Sequence, residues 1–206
     1  FMSETILDSK IDKSQSQISI HHKNSIYKIS KKQFSSKSKV FSFFDNSFCR
    51  QFNIPDIFDE HTVQAFLKFI ETTQVIVKFD KSVEFIALAE ILGCERITNR
   101  SALLTNNISK DEILSQYISL LMQNLDSISV ENLIVQNINY YLKYKKELLI
   151  KIPINKLSQI IQKSLYESSS VDMSDLAILC SHLVHEYGHI GLQILPLISF
   201  EKVSNE

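Results

Sequence analysis

The stretch from Ile26 to Ile54 constrains the fold of this chain more than any other, because strand and helix signals follow one another closely in it. Ile26 and Ile29 indicate a short strand, and the residues from Lys31 to Phe34 favour a single helical turn. Ser38 then precedes a run that would give a helix an apolar stripe, made of Val40, Phe41, Phe43 and Phe44. A further strand is predicted from Arg50 to Ile54. None of these side chains indicates a reactive centre.

The sequence on either side extends this pattern. The residues from Gln17 to His21 alternate apolar and polar, which predicts a strand that forms a hairpin with the one at Ile26. Asp59 is a favourable N-cap for a helix with one apolar face, formed by Val63, Phe66, Leu67 and Ile70. A short strand is predicted at Val75 to Val77, followed by a helix that Asp80 caps and Gly93 ends, apolar on most sides. This order predicts an α+β fold with helices packed on a small sheet.

From about residue 18 to about residue 104 the chain resembles the BTB (POZ) family. The resemblance rests first on a basic residue, an anchor at Phe34, the small pair Ser35 and Ser36, the cap at Ser38 and the pair Val40 and Phe41. It continues in packing patterns further along, which are Phe52-Asn53-Ile54, Phe66-Leu67-Lys68-Phe69-Ile70, Val75-Ile76-Val77 and the spaced Ile86, Ala89 and Leu92. It implies a BTB-like small sheet with packed helices.

After residue 106 only helical signals remain. Ser109 to Glu112 form a capping box, Ser129 and Asp172 are predicted caps, and Pro153 opens a further helix. This all-α helical-hairpin region resembles, by helix order alone, the BACK region that follows BTB domains in adaptor proteins. We therefore expect a polar tail at 1–16, a BTB-like domain at 17–106 and a BACK-like region at 107–206.

The family resemblance implies a protein-interaction adaptor that associates with itself and, in many members, recruits a cullin-type ubiquitin ligase. The expected interface, for a second copy or another partner, comprises Val40, Phe41, Phe43, Phe44, Phe48 and Arg50. Members that bind a cullin usually carry a hydrophobic-x-acidic element. The nearest stretch here is Phe48-Cys49-Arg50, which ends in a basic residue instead of an acidic one. The bias toward Ile, Lys, Asn and Ser resembles protist proteins of this type, and a cytoplasmic or nuclear location is expected.

Composition argues against several other classes of function. The chain has 22 basic and 23 acidic side chains, so we expect neither nucleic acid nor membrane as a partner. The three cysteines are far apart, which predicts neither a disulfide framework nor a cysteine zinc site. Three glycines in the whole chain leave no Gly-rich cofactor loop, and no cofactor is expected.

One motif keeps a second hypothesis open. His185-Glu186-Tyr187-Gly188-His189 satisfies H-E-x-x-H, in which two histidines bind zinc and the glutamate activates water. A third ligand is needed, but Leu195 stands where the extended form of the motif has its third histidine. Helical periodicity places both histidines roughly opposite the apolar face, and Gly188 is placed to end the helix. We expect a non-enzymatic, metal-free module, with a zinc metallopeptidase as the alternative.

Overall fold

The sheet consists of three strands, and the strand that comes first in the chain lies at its centre. The computed structural model describes residues 17–42, 51–167 and 171–203. β1 (Gln17–His22) pairs antiparallel with β2 (Ser25–Ser30) and parallel with β3 (Gln51–Asn53), giving the order β2-β1-β3. Alternate residues of β1 are buried, as its pattern predicted. The predicted hairpin and third strand are thus confirmed in the described residues.

Two short helices connect the hairpin to β3. They are α1 (Lys31–Ser35) and α2 (Lys39–Ser42), both at predicted positions. The Ser38 hydroxyl accepts a hydrogen bond from the backbone N–H of Phe41 at 3.3 Å, so Ser38 does cap the second helix.

The first of the next helices packs on this sheet, and the later ones pack on other helices. α3 (Glu60–Thr72) begins at Asp59, whose carboxylate accepts from the N–H of His61, and it buries the predicted face. Three further helices follow it, which are α4 (Ser82–Ile91), α5 (Glu95–Thr98) and α6 (Ser101–Thr105). α4 is buried on nearly all sides, as expected, because it contacts α3, α5, α6, α7 (Lys110–Met122) and α8 (Ile128–Val135).

Two predictions around α4 are wrong. Val75 to Val77 do not form a strand, since this segment has no partner strand among the described residues. Asp80 does not cap α4 either, because a 3₁₀ helix (Phe79–Lys81) comes first and Lys81 takes the cap position without a side-chain bond. The β-branched composition of Val75 to Val77 favours a strand, but a strand also needs a neighbour.

The remaining chain is helical. After α7 and α8 come α9 (Ile138–Tyr144), α10 (Lys146–Leu149), α11 (Ile154–Glu167), α12 (Met173–Tyr187) and 3₁₀ helices at Gly188–Leu197 and Phe200–Lys202. Ser109 and Asp172 accept backbone N–H groups at helix starts, as predicted. The cap of α8 is Ser127 rather than Ser129, so that prediction was two residues off.

The architecture is α+β, and its buried apolar residues form one cluster from Ile18 to Ile198. This cluster crosses residue 106, so the two predicted domains share a core; the boundary itself stays a prediction. None of the described helices is both long and apolar enough to cross a membrane.

A carboxylate at the end of α4 joins the two parts of the chain. Glu90 accepts hydrogen bonds from the Ser127 hydroxyl (2.6 Å), the Ile128 N–H (3.1 Å) and the Ser129 N–H (3.0 Å). The Ser127 oxygen in turn accepts from the N–H of Val130. Glu90 thus stabilises the first turn of α8, where free N–H groups and the helix dipole favour a negative charge.

The buried face of α3 gives a first stability test. Leu67 is 5% exposed within that face, so Leu67→Ala should lower the free energy of unfolding by about 2 to 5 kcal/mol, because it leaves a cavity. Denaturant melts would measure the change. The neighbouring Lys68 is exposed, and Lys68→Ala should cost less than about 0.5 kcal/mol. Equal effects of the two changes would contradict the assigned face.

Removal of the Glu90 cap gives a second test. Glu90→Ala should lower the free energy of unfolding by about 1.5 to 3 kcal/mol, since three donors lose a charged acceptor. Glu95→Ala is the matched control, because Glu95 is exposed and pairs with the exposed Lys39. Denaturant melts in which Glu95→Ala costs as much as Glu90→Ala would contradict a structural role for the cap.

Candidate interaction surfaces

The loop between α1 and α2 is fixed against the ends of two longer helices. The Lys37 ammonium donates to the carbonyl oxygens of Phe69 (3.1 Å) and Ile70 at the end of α3. The Ser38 hydroxyl donates to the carbonyl oxygen of Leu92, and the Lys39 N–H donates to that of Gly93 at 3.0 Å. The loop therefore donates hydrogen bonds to carbonyl groups at the C-terminal ends of α3 and α4, where a helix satisfies its own carbonyl groups least.

Burial and charge make this loop structural rather than reactive. Burial lowers the pKa of Lys37, and the nearby Arg96 lowers it further. The ammonium also lies 5.6 Å from the centre of the Phe69 ring, a favourable cation–π position. Burial raises the pKa of the neighbouring Cys94 thiol to about 12, so at neutral pH it is not the thiolate that nucleophilic chemistry requires.

Gly93 permits the close approach of this loop. Its φ of +66° lies in the left-handed region, and a Cβ atom there would lie 3.1 Å from the Val40 nitrogen. The glycine predicted to end α4 therefore also makes room for α2.

The predicted oligomer interface is only partly on described residues, and one of its members is misplaced. Phe41 is 3% exposed, with its ring 3.9 Å from Phe34 and 4.8 Å from Phe52 between centroids. It belongs to the core above the sheet, which corrects its assignment to a contact surface. Val40 is half-buried. The other predicted interface residues, Phe43, Phe44, Phe48 and Arg50, lie outside the described residues.

The H-E-x-x-H motif spans the end of a helix. α12 ends at Tyr187, where Gly188 has a φ of +62°, so His189 lies in the following 3₁₀ helix. His185, Glu186 and His189 are all exposed. No three potential metal ligands lie together within residues 17–42, 51–167 and 171–203. The two histidines therefore lack both the continuous helix that the zinc motif needs and a third ligand among these residues.

A partly buried charge network lies elsewhere, and it joins two helices. Lys156 of α11 lies 2.5 Å from carboxylate oxygens of both Asp126 and Glu131, and Lys163 lies 3.2 Å from Glu131. Glu131 is only 7% exposed, and its two lysine partners compensate for this burial. The network joins α8 to α11. Its members are up to 37 residues apart in sequence, so no local pattern could have predicted it.

A second feature that sequence reasoning missed is a basic groove beside α3. Its walls include Lys68, Ile76, Lys78 and Lys81. The only sequence signal for it was the apolar run at Val75 to Val77 between lysines, which we interpreted as a strand.

Comparison of the sequence with family models and with curated proteins identifies no relative. No family model matches the sequence, and no curated protein shows significant similarity to it.

Metal analysis of the purified protein tests the zinc hypothesis directly. A zinc peptidase should purify with about one tightly held zinc per chain and lose it in His185→Ala. We expect far less than one zinc by metal analysis of untagged protein. We also expect His185→Ala to change the free energy of unfolding by less than about 0.5 kcal/mol, because the side chain is exposed. Stoichiometric zinc that survives dialysis against a chelator, but is lost in His185→Ala and kept in His61→Ala, would establish a metal site.

Proposed function

We propose that this chain is a protein-interaction module of the BTB type that associates with a second copy of itself and acts as an adaptor. The observation that carries the proposal is the connection within the sheet. A hairpin is followed by two short helices and then by β3, which pairs in parallel with β1, and the helices α3 and α4 come next. This is the order that the sequence resemblance implies, except for the strand implied at Val75 to Val77, which does not form among the described residues.

The contacts of the α1–α2 loop support the same proposal. Residues that carry the resemblance hold this arrangement together, since Phe34 is fully buried and Ser38 both caps α2 and bonds to the end of α4. A chance match of isolated residue types would not require these residues to contact one another.

Chemical features of the described residues favour binding over catalysis. Burial raises the pKa of both Cys94 and Cys180, so neither thiol is activated. The buried carboxylate Glu131 is engaged by lysines that join helices. Exposed large apolar side chains occur in groups at Val75 and Ile76 and at Leu192 and Leu195, and grouped apolar surface is more typical of binding sites than scattered apolar residues are.

Two surfaces compete as the site of self-association. One is the N-terminal part around Val40, Phe43 and Phe44, where the resemblance lies. The other is an apolar ridge on the 3₁₀ helix at 188–197, where Leu192 (44% exposed) and Leu195 (39% exposed) point outward. Gly191 and Ile194 of that helix are buried against α12, and a Cβ at Gly191 would lie 2.4 Å from the Leu183 carbonyl carbon. We assign self-association to the N-terminal part.

Light scattering at micromolar concentration tests this assignment. We expect about twice the chain mass of 23.8 kDa for the unmodified protein. Phe43→Glu combined with Phe44→Glu should give a single-chain mass, because charge opposes burial of this surface in an interface. Leu192→Glu combined with Leu195→Glu is the matched control and should keep the dimer mass.

The opposite pattern would move the interface to the C-terminal ridge. A single-chain mass for the unmodified protein at every concentration would contradict self-association altogether.

A further inference from the structure

The segment from Val75 to Val77 presents unpaired backbone at the surface. Within the described residues, the N–H and C=O groups of these three residues take part in no hydrogen bond. Ile76 is 59% exposed and Val75 is 37% exposed. A run of β-branched residues with free backbone groups has the composition of a strand and lacks only a partner.

A groove of about 330 Å³ lies between this segment and α3. Ala65 and Lys68 of α3 line one side, and Ile76, Val77 and Lys78 line the other. An apolar floor with flanking lysines suits a ligand that combines apolar and acidic groups.

The charge of the groove is positive and largely uncompensated. Lys81 at its end lies 3.4 Å from Asp59 and 3.5 Å from Glu84, which together balance its charge. Lys68 and Lys78 are exposed and form no ion pair within the described residues. No carboxylate lines the groove. Two lysines without an ion-pair partner among the described residues therefore line the groove.

We propose that this groove binds an extended acidic peptide from a partner protein, which pairs with Val75 to Val77 as an added strand. Main-chain hydrogen bonds would satisfy the free backbone groups, and side chains two positions apart would contact one face of the groove. An aliphatic side chain fits against Ala65 and Ile76, and a carboxylate two positions away fits Lys78 or Lys68. Charge complementarity selects the acidic peptide over a basic one.

Other occupants fit the groove less well. A second copy of the same segment would bring Lys78 to a site that already holds two free lysines. Single-stranded nucleic acid needs a longer basic track and several aromatic stacking partners, whereas the groove lining contains three lysines and, as its one aromatic ring, His61. This inference goes beyond self-association and does not depend on it, because one copy of the chain supplies the whole groove.

Fluorescence anisotropy with labelled ten-residue peptides tests the proposal on the full chain. The acidic probe alternates valine and glutamate at every second position, STVTETVTES, and the basic control is STVTKTVTKS. We expect the unmodified protein to bind the acidic probe at least about tenfold more tightly than the basic control. Methylation of the backbone nitrogens of two adjacent central residues, the first glutamate and the threonine after it, should abolish binding, because adjacent N–H groups point to opposite edges of a strand and one of the two edges must pair with Val75 to Val77.

Charge reversal in the protein makes the test specific. Lys68→Glu combined with Lys78→Glu should reverse the preference, so that the basic peptide binds better than the acidic one. Lys151→Glu, an exposed lysine elsewhere, should leave both affinities unchanged. Thermal melts of both variants that match the unmodified protein would show that the fold is intact, and light scattering would show whether self-association is preserved independently.

Three outcomes would overturn the proposal. The first is no binding of the acidic probe to the unmodified protein. The second is equal binding to the charge-reversed variant. The third is full displacement of the probe by inorganic phosphate at matched ionic strength, which would reduce the groove to a general anion site.

Discussion

The carboxylate of Glu90 is the contact on which the arrangement of the two parts depends most. It lies at the last turn of α4, the helix that contacts the sheet-associated helices on one side and α7 and α8 on the other. Its three hydrogen bonds fix where α8 begins. Close packing of apolar side chains fixes the position of a buried helix through shape, and a charged acceptor bound to three donors adds a requirement on direction and distance. Glu90 therefore reinforces the register between the two parts that core packing sets.

A second constraint, on the backbone, acts just beyond the C-terminal end of α4. The chain turns at Gly93 with a positive φ, and the α1–α2 loop supplies donors to the carbonyl oxygens of Leu92 and Gly93. Lys37 does the same for the end of α3. Two helix ends are thereby closed by one short loop, and the aromatic cluster of Phe34, Phe41 and Phe52 lies beneath it. The stretch that carries the sequence resemblance therefore provides both the hydrogen bonds to these helix ends and part of the aromatic core.

Sequence signals within a few residues predicted several helix caps correctly. They failed where contacts between residues far apart in the sequence determine the structure. The caps at Asp59, Ser109 and Asp172 followed from their own sequence neighbourhoods. Ser127 and Ser129 are equally good caps by type, and Glu90, 37 residues away, binds the hydroxyl of the first. Val75 to Val77 have strand composition without a partner, and the burial of Phe41 depends on Phe34 and Phe52 in separate elements. The basic groove likewise joins two elements that no periodicity connects.

The segment from Val75 to Val77 is suited to bind a partner because it is fixed at both ends but unpaired between them. The Thr73 N–H donates to the Phe69 carbonyl oxygen at 2.8 Å, which fixes the end of α3. The Lys78 carbonyl oxygen accepts from the Lys81 N–H (3.0 Å) and the Ser82 hydroxyl (3.3 Å), which fixes the start of the next helix. Val77 also packs partly on the core. An incoming strand therefore has few residues of this chain to order, and more of the binding free energy remains available for affinity.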